Sequence, residues 1–380
     1  MMPRNGPDGR PPVVGIVGNA GAYGRWLSRF LQDQMGLQVI GRDPAGDTRL
    51  LPRELILQAD VLVFSTPIRH AAAVIDQYVD LAAGDEDGRL WLDLTSIKQA
   101  PVEAMLRSRA DVVGLHPMTA PPKTVSLKGR VLAVCPSRIG RWHDWLEQLL
   151  QTLQAHCVEV EPAAHDRAMA LVQGLSHASH MTQARVLAAL AEDAGGMALL
   201  HALRTVGYEL DLTVTGRILS GNPSIYEEIQ FGNPHVLPVL RNLAEATAQL
   251  RDHVLDGSDI ARRNMRSAFL EQPATMFSAQ ALASHSHGFE RLGYLLADLD
   301  EGRYLSVFLP EDRPGSLRSL LEIFDQLGVN LASIHSSRTP EGELHFRIGI
   351  DALPVPMPTL CEAVESAGIG RVVEFRDPQH

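Results

Sequence analysis

The chain has 380 residues, enough for two or three domains, each with its own core. Its 45% hydrophobic and 21% charged residues are those of a globular protein, and no apolar run reaches membrane-spanning length. A net charge of −11, without a long run of Lys or Arg, argues against nucleic acid or an anionic membrane as the main partner.

The opening MMPRNGPDGRPP is polar, rich in Pro and Gly, and lacks an apolar h-region. It reads as a loose tail over residues 1–12 rather than a signal peptide. Residues 13–162 alternate apolar strand-like runs with helical patterns: VVGIVG, LQVIG, ADVLVFSTP, RLWLDLTS, DVVGLH, RVLAVCP and HCVEV. That rhythm predicts an α/β domain with a doubly wound, mostly parallel Rossmann-type sheet. Over residues 163–299 the strand signals stop, and HDRAMALVQGLSHASHMTQARVLAALAEDA reads as one long helix. An all-helical second domain follows, with apolar faces to pack on itself or on a second subunit. ASHSHGFERLGYLLADLDEG marks the junction to residues 300–380, which read strand, helix, strand, strand, helix, strand. This is the order of a ferredoxin-like βαββαβ unit. Cys135, Cys157 and Cys361 are scattered without metal or disulfide spacing, which points to reduced thiols in a cytoplasm.

The first strand runs into GNAGAYGRWL, so Gly18, Asn19, Gly21, Ala22, Tyr23 and Gly24 form a glycine loop that opens a helix. Glycine serves where the chain turns sharply and where backbone approaches a pyrophosphate, and the helix N-terminus then offers free N–H groups to the phosphates. Asn19 holds the place of the first glycine, on the expectation that Asn accepts a left-handed backbone there. The second strand ends at Arg42 and Asp43. Asp43 would bind the adenosine ribose of NAD, while Arg42 would welcome the 2′-phosphate of NADP; NAD is preferred. Ser65, Thr66 and Pro67, ending the third strand, join the cofactor-binding set.

Two later strands, LWLDLTSIK and VVGLHP, both break into polar residues where they end. In a parallel sheet that edge is where ligands bind. His116 there suits a base that takes a hydroxyl proton as hydride leaves the same carbon, with Ser96 orienting the ring or touching the cofactor. His177 and His180, at i and i+3, read as a polar wall able to bind substrate, with no third ligand for a metal. Arg217, among Thr, Gly and Ile, suits a substrate carboxylate, unless it pairs with Glu227 or Glu228.

DLTSIK, GLHPM, the HD helix with SHASH, and GR followed by PSIYEEI together resemble the prephenate (or arogenate) dehydrogenases of tyrosine biosynthesis. The resemblance implies oxidative decarboxylation of prephenate to 4-hydroxyphenylpyruvate with NAD, by a homodimer. It places the catalytic histidine on His116, its supporting serine on Ser96, the helical histidines on His177 and His180, and the substrate-carboxylate arginine on Arg217. Tyr226 matches an aromatic near the site. The chain departs from the family at Asn19 and at TAPPKT after HPM. The tail, with DRPGSL, resembles an ACT domain, which implies binding of tyrosine or another aromatic amino acid, or a purely structural role. An arogenate dehydrogenase and a non-catalytic sensor of dinucleotide and amino acid are the alternatives.

Overall fold

The computed structural model describes residues 5–46, 49–121, 124–300, 303–309, 313–338 and 344–377. By contacts the chain divides into two units, one comprising Met1–Pro122 with Ser126–Asp252, the other Lys123–Val125 with His253–His380.

The first unit opens with β1 (Val14–Val17), α1 (Ala22–Met35), β2 (Val39–Arg42), α2 (Pro52–Gln58), β3 (Val61–Phe64) and α3 (Ile68–Ala82). It continues with β4 (Leu90–Asp93), α4 (Gln99–Leu106), β5 (Asp111–Pro117), β6 (Val131–Arg138), α5 (His143–Leu153) and β7 (His156–Glu159). The seven strands form one sheet in the order β2-β1-β3-β4-β5-β6-β7, parallel except for the β5–β6 pair. Every residue of β1, β3 and β4 is buried, because both faces of the sheet are covered. The two-residue period sorts them. Val14, Ile16, Val61, Val63, Leu90 and Leu92 join the core with Trp26 and Phe30 of α1, while Leu62, Phe64 and Trp91 join the one with Ile75 and Tyr78 of α3. The strand order reverses at β1, so the switch-point crevice opens beside the glycine loop.

Residues expected as a loose tail are tied down from Gly6 onward. Arg10 forms a two-pronged pair with Asp60 at 2.7 and 2.6 Å, and Gly6 N–H donates to Arg10 O.

The helical part of this unit is α6 (Pro162–Met169), α7 (Ser176–Leu190), α8 (Gly196–Ala202), α9 (Val206–Ser220), α10 (Pro223–Gly232) and α11 (Val236–Asp256), with the unit boundary inside α11. The one long helix expected from His165 onward is interrupted. Ala170–Leu175 winds as a π-turn between α6 and α7. The Gly174 carbonyl of this turn accepts from Gln230 Nε2 at 2.9 Å. A Cβ on Gly174 would come within 2.7 Å of Val236, so only glycine lets α11 lie this close.

The second unit holds α12 (Asp259–Arg266), the short α13 (Gln272–Ala274) and α14 (Ala279–Asp300), so the expected junction is a helix. It ends with β8 (Arg303–Leu309), α15 (Ser316–Gln326), β9 (Leu331–Arg338), β10 (Leu344–Ile350), α16 (Met357–Ser366) and β11 (Arg371–Arg376). The antiparallel order β11-β8-β10-β9 matches the expected βαββαβ unit. Leu305, Val307, Phe346 and Ile348 alternate inward against Leu320 and Phe324 of α15 and Leu360 of α16. Gly315, at φ 100°, ends the DRPGSL turn and starts α15; Asp312 of that motif lies outside the described residues.

Candidate active site

Gly18 sits at φ 88°, and a Cβ there would meet Ser65 O at 2.3 Å; one on Gly24 would meet Gly18 O at 2.2 Å. The loop is therefore closed by contacts that exclude side chains, and Gly21 at its tip is the uncapped N-cap of α1. No acidic residue occupies the first turn of α1, so the first N–H groups of the helix would meet an anion without a competing carboxylate. Asn19 corrects the expectation made for it. It is not among the residues with positive φ, and the left-handed turn belongs to Gly18. What accommodates the Asn19 side chain is Gly41, where a Cβ would lie 2.2 Å from Asn19 Nδ2. Asn19 Oδ1 is buried without a hydrogen-bond partner among the described residues, as is Thr66 Oγ1 on the neighbouring loop.

Asp43 stands beside this loop, accepting from Ala20 N–H at 3.2 Å and Ala45 N–H at 2.8 Å. Arg42 donates from Nη1 to Leu50 O at 2.6 Å. Ser65 is pinned by its N–H to Val17 O, and Pro67 is the N-cap of α3. The N–H of Ile68, the first residue of α3, is taken by Glu228 Oε2 at 2.6 Å, which ties α10 to the loop after β3. The Tyr23 hydroxyl reaches across to donate to Thr119 O, three residues past His116. A loop of this shape, with a carboxylate at the end of β2, fits a dinucleotide.

His116 closes β5, and the register Asp93↔Gly114 brings the ends of β4 and β5 to one edge of the sheet. The ring is 3% exposed. His116 Nδ1 lies 2.9 Å from His165 Nε2, and His165 Nδ1 lies 2.8 Å from Asp166 Oδ1. Asp166 also accepts from the backbone N–H of Lys98 at 2.8 Å and of Gln99 at 2.9 Å. A carboxylate with these donors is an acceptor only, and this fixes each proton in turn. His165 must donate from Nδ1 to Asp166, which leaves Nε2 to accept from His116 Nδ1–H. His116 Nε2 is then a bare lone pair, and Gln173 Nε2 faces it at 3.4 Å. Burial holds the His116 pKa well below 6.5, and the Lys98 ammonium and then the neighbouring His165 push the same way, since a proton on either ring disfavours one on the other. The ring is therefore a neutral base at pH 7.

The fully buried Lys98 ammonium pairs with Asp93 and donates to Leu115 O at 2.9 Å, clamping the turn after β4 under β5. A buried pair of this kind is retained where it fixes geometry rather than for net stability. Asn233, buried after α10, donates to Asp166 O at 2.7 Å. Gly232 packs where a Cβ would meet Ile97 at 2.7 Å.

The other expected residues are distributed as follows. Ser96 is half-buried on the turn after β4. His177 packs edge-on to Tyr226, ring centroids 5.0 Å apart, and its Nδ1 is buried without a hydrogen-bond partner among the described residues. Burial and then His180 lower the pKa of His177. His180 donates from Nδ1 to Ser176 O at 2.8 Å and faces Asp211 at 3.6 Å. Arg217 is exposed on α9 and has no ion pair among the described residues. Glu228, one of its two alternative partners, is spent on Ile68 and Arg69. Sequence reasoning assigned no role to His165, Asp166, Gln173 or Asn233. The adjacent pair HD, at the start of an otherwise apolar helical stretch, was the available signal.

Comparison with known proteins agrees with this layout. Residues 41–160 match the family profile "Prephenate dehydrogenase, nucleotide-binding domain" and residues 161–265 the profile "Prephenate dehydrogenase, dimerization domain". The first match begins beyond the glycine loop, whose assignment rests on its geometry. Residues 303–353 match the ACT domain. The "Probable arogenate/prephenate dehydrogenase" of Methanocaldococcus jannaschii is 26% identical over 290 residues, 71% of this chain and 62% of that protein. The "T-protein" of Enterobacter agglomerans is 30% identical over 235 residues, 60% of this chain and 59% of its own. The chain thus spans about three fifths of the length of these relatives. Among solved structures, prephenate dehydrogenase from Aquifex aeolicus, in complex with hydroxyphenyl propionate and NAD+, superposes with a TM-score of 0.51 at 14% identity, over 69% of this chain and 98% of that one. At that identity the likeness speaks for the fold alone. Over residues 41–265 the chain belongs to the prephenate dehydrogenase family, and it carries an ACT domain at residues 303–353.

Proposed function

We propose that the chain is an NAD-linked prephenate dehydrogenase. One observation carries the reading: the Asp166–His165–His116 chain presents a bare Nε2 at the sheet edge that also carries the nucleotide crevice. Prephenate has a C4 hydroxyl, a ring carboxylate and a pyruvyl side chain. Its oxidation needs a hydride acceptor at C4, a base at the hydroxyl and a clamp for the acid groups. Bound NAD supplies the acceptor; the glycine loop, Asp43 and the Ser65–Pro67 turn would hold it. His116 Nε2 takes the hydroxyl proton as the C4–H bond breaks. Arg217 is the clamp, with His177, His180 and Tyr226 walling the substrate and Ser96 near the ring. Loss of the ring carboxylate as CO2 aromatises the product, 4-hydroxyphenylpyruvate. Asp43 beside the loop and Arg42 tied to Leu50 support NAD over NADP. The test is turnover of prephenate and of arogenate, each with NAD and NADP, followed as reduced nicotinamide. Absence of turnover in all four combinations sinks the reading, and arogenate alone would replace prephenate.

The helical domain leaves large apolar side chains exposed, among them Leu203, Leu219 and Phe231 at 73%, 66% and 90%. A homodimer across these helices would cover them, and light scattering showing a monomer at micromolar concentration would refute it. The ACT domain is proposed to bind tyrosine at the turn before α15 and to lower activity. Inhibition requires tyrosine to favour a less active state, since equal affinity for two states shifts nothing. Equal inhibition of the full chain and of a chain ending near Asp300 would remove the ACT domain from that role.

A further inference from the structure

The Gln173 amide is the least settled polar group around His116. Its Nε2 approaches His116 Nε2 at 3.4 Å, a long contact, while its Oε1 is buried without a hydrogen-bond partner among the described residues. The orientation of the amide follows from the proton chain: a bare His116 Nε2 can only face the NH2 end. Gln173 lies in the π-turn Ala170–Leu175, a distortion that interrupts α-helices frequently at functional sites. The turn is held in place from outside by Gln230 on the Gly174 carbonyl and by the close approach of Val236 to Gly174. The protein thus distorts a helix to bring one amide onto the base, yet leaves half that amide unsatisfied.

We propose that Gln173 is a catalytic residue: on substrate entry its N–H leaves His116 Nε2 and donates to the C4 hydroxyl oxygen, whose proton turns to the freed nitrogen. This rests on the reaction assigned above. The C4–H bond breaks with its electron pair, which passes as hydride to the nicotinamide. The bond from C1 to the ring carboxylate breaks, its pair enters the ring, and CO2 departs. The hydroxyl proton moves towards Nε2 and returns to the phenol oxygen of the product. Negative charge grows on that oxygen while its proton is shared, and a fixed donor aimed at it lowers the barrier. The same contact shields Nε2 when substrate is absent.

The test uses the full chain with Gln173→Met, which keeps the volume but not the donor, and Gln173→Glu, which places a carboxylate against the base. Gln173→Met is expected to lower kcat roughly 100-fold, as losing one such donor does elsewhere. KM for prephenate should stay within about threefold, and affinity for NAD should not change. Gln173→Glu is read by nitrogen NMR of His116 without substrate. The titratable groups around that ring are Lys98 and His165, and behind them Asp166 and Asp93. A new carboxylate at Nε2 favours the imidazolium, so the His116 titration should move up. Wild-type kcat in Gln173→Met, or an unmoved titration in Gln173→Glu, overturns the proposal. A wild-type protein without turnover, whose Glu variant still shifts the titration, overturns the assigned reaction and the catalytic role with it. An active wild type indifferent to both variants condemns the role of Gln173 alone.

Discussion

Replacing Asp166 by Asn tests the proton chain at its anchor. The carboxylate receives His165 Nδ1 at 2.8 Å and the N–H groups of Lys98 and Gln99 at 2.8 and 2.9 Å. An amide offers one oxygen and turns its NH2 towards donors. His165 then loses the charge-assisted bond that selects its tautomer, worth about 1.5–3 kcal/mol. If His165 carries its proton on Nε2 instead, it donates to His116 Nδ1, and His116 is left with its proton on the nitrogen that should be bare. At 1.36 kcal/mol per tenfold, the loss corresponds to a fall in kcat of about 10- to 150-fold. That is smaller than the roughly 100- to 10,000-fold expected for His116→Asn, which removes the base outright. The assay is NADH formation at saturating prephenate, below the melting temperature of the variant, since an unpaired buried N–H also costs about 1–3 kcal/mol of stability. NAD affinity should hold, because the hydrogen bonds of Asp166 go to Lys98, Gln99, His165 and Asn233, none of them in the glycine loop. A folded Asp166→Asn protein with more than half of wild-type kcat would refute the tautomer argument.

Further outcomes follow from the same geometry. Because His116 titrates well below 6.5, kcat/KM should stay level as pH falls from 7 to 6 and decline only below that; a decline centred near 7 would show another group acting as base. The same depressed pKa makes stability fully present above about 6.5 and lost as pH drops towards the native value, with His177 adding the same sign; thermal melts at pH 7.5 and 5.5 check this. Arg217→Ala should raise KM for prephenate about tenfold or more while leaving NAD affinity unchanged, and equal weakening of both ligands would indicate a fold defect instead. Asp43→Ser should improve the use of NADP relative to NAD, and a wild type that already prefers NADP would remove Asp43 from the ribose.

The sheet was legible because its central strands are buried on both faces and appear as short, unbroken apolar runs such as VLVF. His116 was legible because a polar residue ending such a run has few reasons to be there. Its partner was not, since His165 is 49 positions away and nothing local says which strand end the HD pair will meet. Glu228 shows the same limit over 160 positions, where its carboxylate caps α3 across the unit rather than pairing with Arg217. The π-turn escaped because one extra residue in a helical turn barely alters the spacing of apolar positions, so a continuous helix fitted equally well. Asn19 was tolerated for a reason that its own conformational preferences do not contain: the missing side chain of Gly41 in the next strand.

The segment LWLDLTSIK carries more of the site than its motif suggests. The Lys98 side chain locks the turn after β4 to the Leu115 carbonyl, adjacent to His116, while the Lys98 backbone N–H holds the Asp166 carboxylate that sets the proton chain. One residue therefore fixes both ends of the relay, His116 through its side chain and Asp166 through its backbone. Lys98→Met would keep the backbone bond, but it would leave Asp93 as a buried charge with its ammonium gone, a loss of about 3–5 kcal/mol. The paired change Asp93→Asn with Lys98→Met removes that charge, keeps an oxygen for the buried Thr95 N–H that Asp93 now accepts at 3.0 Å, and isolates the positional effect. Should the double variant melt near wild type yet turn over slowly, the pair acts by holding Leu115 and His116 in register. If it turns over normally, the ion pair is dispensable, and the backbone bond to Asp166 is the only part of Lys98 that the reaction needs.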